Sequence, residues 1–548
     1  MKPEIIRVPT KPFEGQRPGT SGLRKKTRVF MQPNYLENAV QSVFNVIRET
    51  AGDFGQHMLV IGGDGRYYNR EAIKIIINMA VANGFGKLLV ARGGLMSTPA
   101  VSAVIRRRGA LGGLILSASH NAGGIDEDFG IKYNIHNGGP APESVTEAIH
   151  EQTQKITEYI TISDANVDID HEGSTRIGQT QIDVINSLTD YCELMEELFD
   201  FESIRRLFAS RFRMTFDAMH AITGPYAHHL LEERLGAAPG TVVKGTPLPD
   251  FGGHHPDPNL VYAADLVARL ADDDGPDFGA ACDGDGDRNL ILGRKFFVSP
   301  GDSLALIAEH AKDAIPAFRD GLAGVARSMP TSTAADRVAQ QLGIRFYETP
   351  TGWKFFGSLL DAGLCTICGE ESFGTGSNHV REKDGVWAVL AWLSILAHTG
   401  KSVEQVVREH WRRFGRSYYQ RHDFEGIDTD AAARMIAALR EKIPGLNGKD
   451  FGGSKITTAD DFSYTDPVDG STATKQGIRL LLADGSRAVF RLSGTGTSGA
   501  TLRLYVERYL RDEGVSDVNQ ILAPLLKDAK DLLRLKEFTG RDKPNVIT

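Results

Sequence analysis

Short apolar runs rich in β-branched residues alternate with longer stretches of helical period along most of the chain. Met58-Leu59-Val60-Ile61-Gly62-Gly63-Asp64 reads as a strand ending in a glycine turn. Residues 71–83 then read as a helix and 87–91 as the next strand, and the pair repeats over 99–108 and 112–117. This alternation predicts an α/β fold. Strand-then-acidic-turn units recur near 278–283 and 364–369, so three diverged α/β units are expected, without a short-period repeat. Beyond about Gln420 the pattern changes to strands over 477–483, 486–492 and 501–506, then a helix over 518–535. That tail reads as a smaller α+β domain.

A chain of 548 residues is too long for one core and calls for three or four domains. The expected units are 1–191, 192–305, 306–414 and 415–548. The longest near-apolar run, 386–397, is too short to span a bilayer and reads as a buried helix. A net charge of −8 leaves no basic surplus to neutralise a nucleic-acid backbone, so neither nucleic acid nor membrane is expected as a partner. The basic spots Arg24-Lys25-Lys26 and Arg106-Arg107-Arg108 remain compatible with small phosphorylated ligands, or with solvated surface. The first residues carry no apolar secretory segment, and four cysteines make no disulfide framework, so a cytoplasmic location is expected.

Two loops carry the candidate chemistry. Ser117-Ala118-Ser119-His120-Asn121-Ala122-Gly123-Gly124 sits at the carboxyl end of the strand over 112–117, where open α/β sheets place ligands. Asp283-Gly284-Asp285-Gly286-Asp287-Arg288 sits between two strand-like flanks and sets three carboxylates on alternate residues. An EF-hand would need glycine and glutamate where Arg288 and Arg294 stand, so that reading fails. Three carboxylates this close repel one another unless a hard cation such as Mg²⁺ binds them. A serine beside such a cation can carry a phosphoryl group, given a neighbouring base and cations on the electrophile. His120 and Lys132 lie close enough in sequence to move protons, although His120 could equally only orient the loop.

Gly369-Glu370-Glu371-Ser372-Phe373-Gly374 can hold sugar hydroxyls between carboxylates, or form an exposed turn. Ser493-Gly494-Thr495-Gly496-Thr497-Ser498-Gly499, flanked by Arg491 and Arg503, reads as an anion nest. Its formal G-x-G-x-x-G match is rejected as a dinucleotide site, because residues 500–506 alternate like a strand instead of starting a helix. Asp-Phe-Gly recurs at Asp128, Asp250 and Asp277 without the other kinase motifs. Cys365 and Cys368 lack a second ligand pair, and a strand there would point the two sulfurs to opposite faces of a core element.

Taken in order, these stretches resemble the phosphoglucomutases of the α-D-phosphohexomutase superfamily, over essentially the whole chain, in the branch that includes the animal enzymes. Further matching stretches are Pro18 to Arg24, Glu348 to Lys354 and Arg381 to Gly385. The resemblance implies three related α/β domains and a C-terminal α+β domain around a central cleft. It implies interconversion of glucose 1-phosphate and glucose 6-phosphate through phosphorylated Ser119 and glucose 1,6-bisphosphate, which also serves as activator. It implies one Mg²⁺ held by Asp283, Asp285, Asp287 and Ser119, with His120, Lys132 and Arg288 as catalytic partners. Arg24, Asp287, Arg288 and Lys383 would meet the bisphosphate, and Thr351, Glu370 and Ser372 the sugar. Ser493, Thr495, Thr497 and Arg503 would hold the non-reacting phosphate of a small phosphosugar, in a monomer. Alternatives are a mutase for another hexose phosphate, a glucose 1,6-bisphosphate synthase, or a non-catalytic structural relative. The chain departs from the family's usual pattern at Ala122, where proline is common, and at Ile125-Asp126-Glu127. From these changes either a looser loop with extra negative charge near Ser119 is expected, or acids that point to solvent and matter little.

Overall fold

A computed structural model describes residues 3–19, 21–496, 499–511 and 517–548. Its four larger sheets fall into three that share one plan and a fourth that does not, beside two two-stranded sheets. In the first, the strands run in the order Leu23–Lys26, Asp128–Ile135, Gly112–Leu116, Met58–Gly63, Lys87–Leu95, Thr180–Ile185 and Gly173–Ile177. Four central strands are parallel and the outer pairings are antiparallel. The second sheet orders Val242–Val243, Met214–Asp217, Phe278–Cys282, Asn289–Gly293 and Phe296–Val298. The third orders Arg345–Thr349, Gly324–Ser328, Ile367–Glu370 and Gly374–Ser377.

The shared plan places the candidate loops. In each sheet three parallel strands lead, through a tight loop, to a fourth strand paired antiparallel to the last of them. Those three connections are the serine loop, the acidic loop and the Glu370 loop. Each therefore leaves its sheet at the carboxyl ends of the parallel strands.

The fourth sheet is antiparallel and runs Asp450–Phe451, Ser454–Asp461, Ile478–Leu482, Arg487–Gly496, Gly499–Leu510, Arg416–Ile427 and Val546–Ile547. Helices Thr429–Lys442 and Val518–Leu533 bury Met435, Leu439, Leu522 and Leu525 in its core. The expected terminal helix over 518–535 stops at Leu533, because Arg534 takes a left-handed φ of 54° before a short turn over Leu535–Thr539.

One apolar core runs through the first three units, from Val60 and Ala100 to Trp387 and Trp411. Helix Gly385–Thr399 crosses it with residues 385–396 all buried, as its apolar run predicted. Among the described residues no single helix is long and apolar enough to cross a membrane.

Cys365 and Cys368 correct one expectation. Both sulfurs enter the same small core with Trp353, Phe356 and Leu360. The strand begins only at Ile367, so Cys365 lies in the preceding bend and strand alternation does not separate the pair.

Candidate active site

The serine and acidic loops meet. Ser119 is buried and holds a left-handed backbone, φ 54°, which costs a non-glycine residue energy unless neighbours impose it. The Ser117 hydroxyl accepts the Ser119 N–H at 2.7 Å. The Ser119 hydroxyl donates to Asp283 Oδ2 at 2.8 Å, and His120 Nδ1 lies 3.4 Å from the same Oγ. Such an approach requires glycine opposite, since a side chain on Gly284 would overlap the Ser119 carbonyl.

Asp283, Asp285 and Asp287 are all buried, and each offers an oxygen within 4.8 Å of the others. The backbone N–H groups of Asp287 and Arg288 bind Asp283 Oδ1 at 2.9 and 3.0 Å. Thr98 donates its hydroxyl to Asp285 Oδ2 at 2.7 Å, from the first turn of helix Thr98–Arg108. Asp285 Oδ1 and Asp287 Oδ1 are buried with no hydrogen-bond partner. Burial, then the charges of Asp287 and Asp285, push the Asp283 carboxyl well above its ordinary range. Burial also opposes charge on Asp285, but Lys132, Thr98, Lys383 and Arg24 outweigh it and hold that carboxyl down. Orphaned buried oxygens beside a strained carboxylate are what a divalent cation site requires of its ligands. The donor set is all oxygen, which suits Mg²⁺.

Around this centre opens a cavity of about 350 Å³. The first unit contributes Arg24, His120 and Lys132, the second Asp287 and Arg288, the third Thr351, Glu370, Ser372 and Lys383, and the terminal domain Arg503. Lys132 Nζ lies 3.6 Å from Asp285 and 3.5 Å from Glu382. Burial works against its charge, but Glu382, Asp285 and Asp287 win and raise its pKa, so it stays an ammonium. His120 has the opposite fate: burial first, then Arg288, Arg24, Lys383 and Arg503, hold it well below the ordinary histidine range. Arg288 reaches Asp257 at 3.7 Å, and Lys383 reaches Asp287 at 3.3 Å. Glu370 accepts the Gly352 N–H at 3.0 Å, while the Thr351 hydroxyl and Arg24 Nε are buried without partners. Ser493 lies on strand Arg487–Gly496, paired with Thr501, and does not line the cavity. Thr497 and the side chain of Thr495 lie outside the described residues.

Four family models tile the chain. Phosphoglucomutase/phosphomannomutase alpha/beta/alpha domains I, II and III match residues 15–160, 189–295 and 300–414. The phosphoglucomutase-1 C-terminal domain matches 416–545. A phosphoglucomutase of Rhizobium radiobacter is 57% identical over 547 residues, covering 99% of this chain and all of its own. A cytoplasmic phosphoglucomutase of Pisum sativum is 52% identical and covers 99% of each chain. The open-form crystal structure of the exocytosis-sensitive phosphoprotein pp63/parafusin, a phosphoglucomutase from Paramecium, matches with a TM-score of 0.93 at 48% identity, over the full length of both. The chain belongs to the phosphoglucomutase family.

Within this phosphoglucomutase architecture, several residues at the site escaped the sequence reading. Arg66 is wholly buried against Asp64 and donates to the Ser119 carbonyl at 2.8 Å and the Asp128 carbonyl at 2.8 Å. It therefore grips the serine loop at both ends. Glu382 accepts from Asn134 at 2.8 Å and fixes Lys132 from the other side. Arg66 stands in the turn after strand Met58–Gly63 and Thr98 opens the helix after strand Lys87–Leu95, and neither position marks a site residue in the sequence.

Of the two arrangements expected for the acids at 126 and 127, the structure shows the solvent-facing one. Asp126 and Glu127 are exposed, and they pair with Arg28 and, at 3.3 Å, with Lys26. Thr27 also donates its hydroxyl to the Gly124 carbonyl at 2.8 Å and its N–H to the Glu127 carbonyl at 2.7 Å. The loop without proline is thus tied down, and its acids face solvent and cations.

Proposed function

We propose that the chain interconverts α-D-glucose 1-phosphate and glucose 6-phosphate through a phosphoryl group carried on Ser119. The observation that carries this reading is the Ser119 hydroxyl 2.8 Å from Asp283, in a triad with two orphaned buried oxygens. Asp283, Asp285, Asp287 and Ser119 would hold one Mg²⁺, which neutralises charge on the group in transfer.

In the forward half, the P–O bond to Ser119 breaks as a bond to the free sugar hydroxyl forms, giving glucose 1,6-bisphosphate. His120, held neutral 3.4 Å from the Ser119 Oγ, takes the proton of the sugar hydroxyl and passes it to the departing Ser119 oxygen. Lys132, held charged, cannot accept one and serves as fixed positive charge near the phosphoryl oxygens. The return step uses the same groups in reverse, with the other phosphate passing to Ser119. Arg24, Arg288 and Lys383 stabilise the anionic groups, and Asp287 orients Lys383. Glu370, Ser372 and the unpaired Thr351 hydroxyl bind sugar hydroxyls. Arg503, which lines the cavity, holds the phosphate that does not react together with Thr495 and Thr497, and Ser493 supports them from its strand outside the cavity. Glucose 1,6-bisphosphate activates by rephosphorylating Ser119.

We take units 1–191, 192–305, 306–414 and 415–548 as four domains of one monomer that complete the cleft without a partner chain. Its substrates are small phosphosugars, with no nucleic-acid or membrane partner, and its place of work is the cytoplasm, as for the Pisum sativum relative. Assay of both directions with and without glucose 1,6-bisphosphate tests the reading. Activation by the bisphosphate supports it, and no turnover of either glucose phosphate overturns it.

A further inference from the structure

Residues 377–385 carry Glu382 and Lys383 to the site, and the rest of the stretch has no part in the proposed reaction. The Ser377 hydroxyl lies 2.7 Å from His379 Nδ1, and His379 Nε2 lies 2.9 Å from Asp384 Oδ2. The distances match a hydrolase triad, but the His379 and Asp384 side chains are fully buried and Ser377 is buried too, so no substrate reaches them. The Asp384 carboxyl oxygen accepts the Nε2–H of His379, which leaves Nδ1 to accept a hydrogen bond from the Ser377 hydroxyl. The imidazole then braces the two ends of the segment that carries Arg381, Glu382 and Lys383. Asp384 Oδ1 also accepts from the Tyr191 hydroxyl at 2.6 Å and from the Trp387 N–H at 3.0 Å, which caps helix Gly385–Thr399. The His379 ring stacks on Trp387 at 5.3 Å.

This braced segment is docked onto the acidic loop. The Gly385 N–H donates to the Gly286 carbonyl at 3.0 Å, and a side chain on Gly385 would overlap the Arg288 carbonyl. The Asp384 N–H donates to the Thr375 carbonyl at 2.9 Å. Lys383, one residue before Asp384, lays its stem across Gly374, where any side chain would overlap it, and ends 3.3 Å from Asp287. Lys383 is thus held on its C-terminal side by Asp384 and its partners, while Ser102 and Asn134 hold Arg381 and Glu382 on its other side.

We propose that His379 and Asp384, braced by Ser377 and Tyr191, are positioning residues that hold Lys383 between Asp287 and the sugar loop. The proposal rests on Lys383 contacting the phosphosugar. A misplacement of about 1 Å at such a site costs roughly a hundredfold in rate even when the altered residue is remote.

A double-mutant cycle between His379→Ala and Lys383→Ala tests it, with kcat/KM for glucose 1-phosphate and the melting temperature measured for each protein. His379→Ala is expected to lower kcat/KM roughly 10- to 100-fold. In the Lys383→Ala background the same change should cost less than about twofold, because the group it positions is gone. A merely structural role would lower the melting temperature in both backgrounds and repeat its full kinetic cost in each, and that result overturns the proposal. Wild-type kcat/KM in His379→Ala also overturns it. Unchanged kcat/KM in Lys383→Ala strikes instead at the role of Lys383 in the proposed reaction. Should His379→Ala fail to fold, Tyr191→Phe removes one donor to Asp384 with little change of volume and carries the same cycle with the same criteria.

Discussion

Arg66 Nη2 donates to the Ser119 carbonyl at 2.8 Å, and the two residues are 53 positions apart. The contact holds a left-handed serine in place from outside its own loop. Arg66 is itself held by Asp64, both side chains being fully buried. Removing one member of a buried ion pair leaves the other uncompensated and costs about 3–5 kcal/mol. Arg66→Met is therefore expected to lower the unfolding midpoint and to release the serine loop, with kcat falling more than the loss of folded protein explains. Normal kcat in the folded fraction would show that the loop keeps its conformation without the clamp.

Ser119→Ala should abolish turnover and leave the fold intact, since the hydroxyl meets only Asp283 and His120 and belongs to no apolar core. Incubation with glucose 1,6-bisphosphate carrying labelled phosphate should label the parent and not the variant. Equal labelling of both would move the phosphoryl carrier elsewhere.

Asp285→Asn keeps the volume and the contact with Thr98 but removes a charge from the triad. Mg²⁺ affinity measured by titration calorimetry should fall at least tenfold, a change of about 1.4 kcal/mol, with kcat falling as well. Full activity of the parent in excess chelator would remove the metal from the reading.

Much of this site is legible in the sequence because its chemistry sits on short contiguous loops. The serine loop and the acidic loop each follow a short apolar run that reads as a strand, so their placement at the carboxyl edges of two sheets follows from local pattern, whereas the meeting of those two edges does not. Arg66 was not legible, since Asp64-Gly65-Arg66 reads as an ordinary turn and its partners are carbonyls supplied by a loop far along the chain. His379 was equally hidden, because its two partners matter only once the segment folds back on itself. Cys365 shows the limit from the other side: alternation places a side chain only within a strand, and the strand starts two residues later.

The acids at 126 and 127 pair with Arg28 and Lys26 at the surface, and their effect on turnover should be small. Exposed pairs of this kind contribute about 0–1 kcal/mol and are screened by salt. Asp126→Asn with Glu127→Gln should change kcat/KM by less than about twofold at low and at high salt. A larger, salt-sensitive gain would show that their charge reaches the substrate after all.

The terminal domain is fastened to the third unit by a carboxylate with a depressed pKa. Glu507 is buried, binds Arg487 at 2.7 Å, and accepts the Thr333 N–H and hydroxyl at 3.0 and 2.8 Å. Burial opposes its charge, but Arg487 and Arg337, with the Ser417 hydroxyl, outweigh that and bring its pKa down to about 2. The unfolded chain protonates this group near its ordinary value of about 4.3. Below that pH the unfolded state binds the proton more readily than the folded one, so stability is lost as pH falls from about 4.3 toward 2. The full contribution, present above that window, is on the order of 3 kcal/mol. Glu507→Gln removes the charge at every pH. The gap in unfolding midpoint between parent and variant should be wide at pH 6, narrower at pH 4 and narrower still at pH 3. A gap that stays constant over that range would mean that the carboxylate's charge does not fasten the two domains and that its hydrogen bonds alone do.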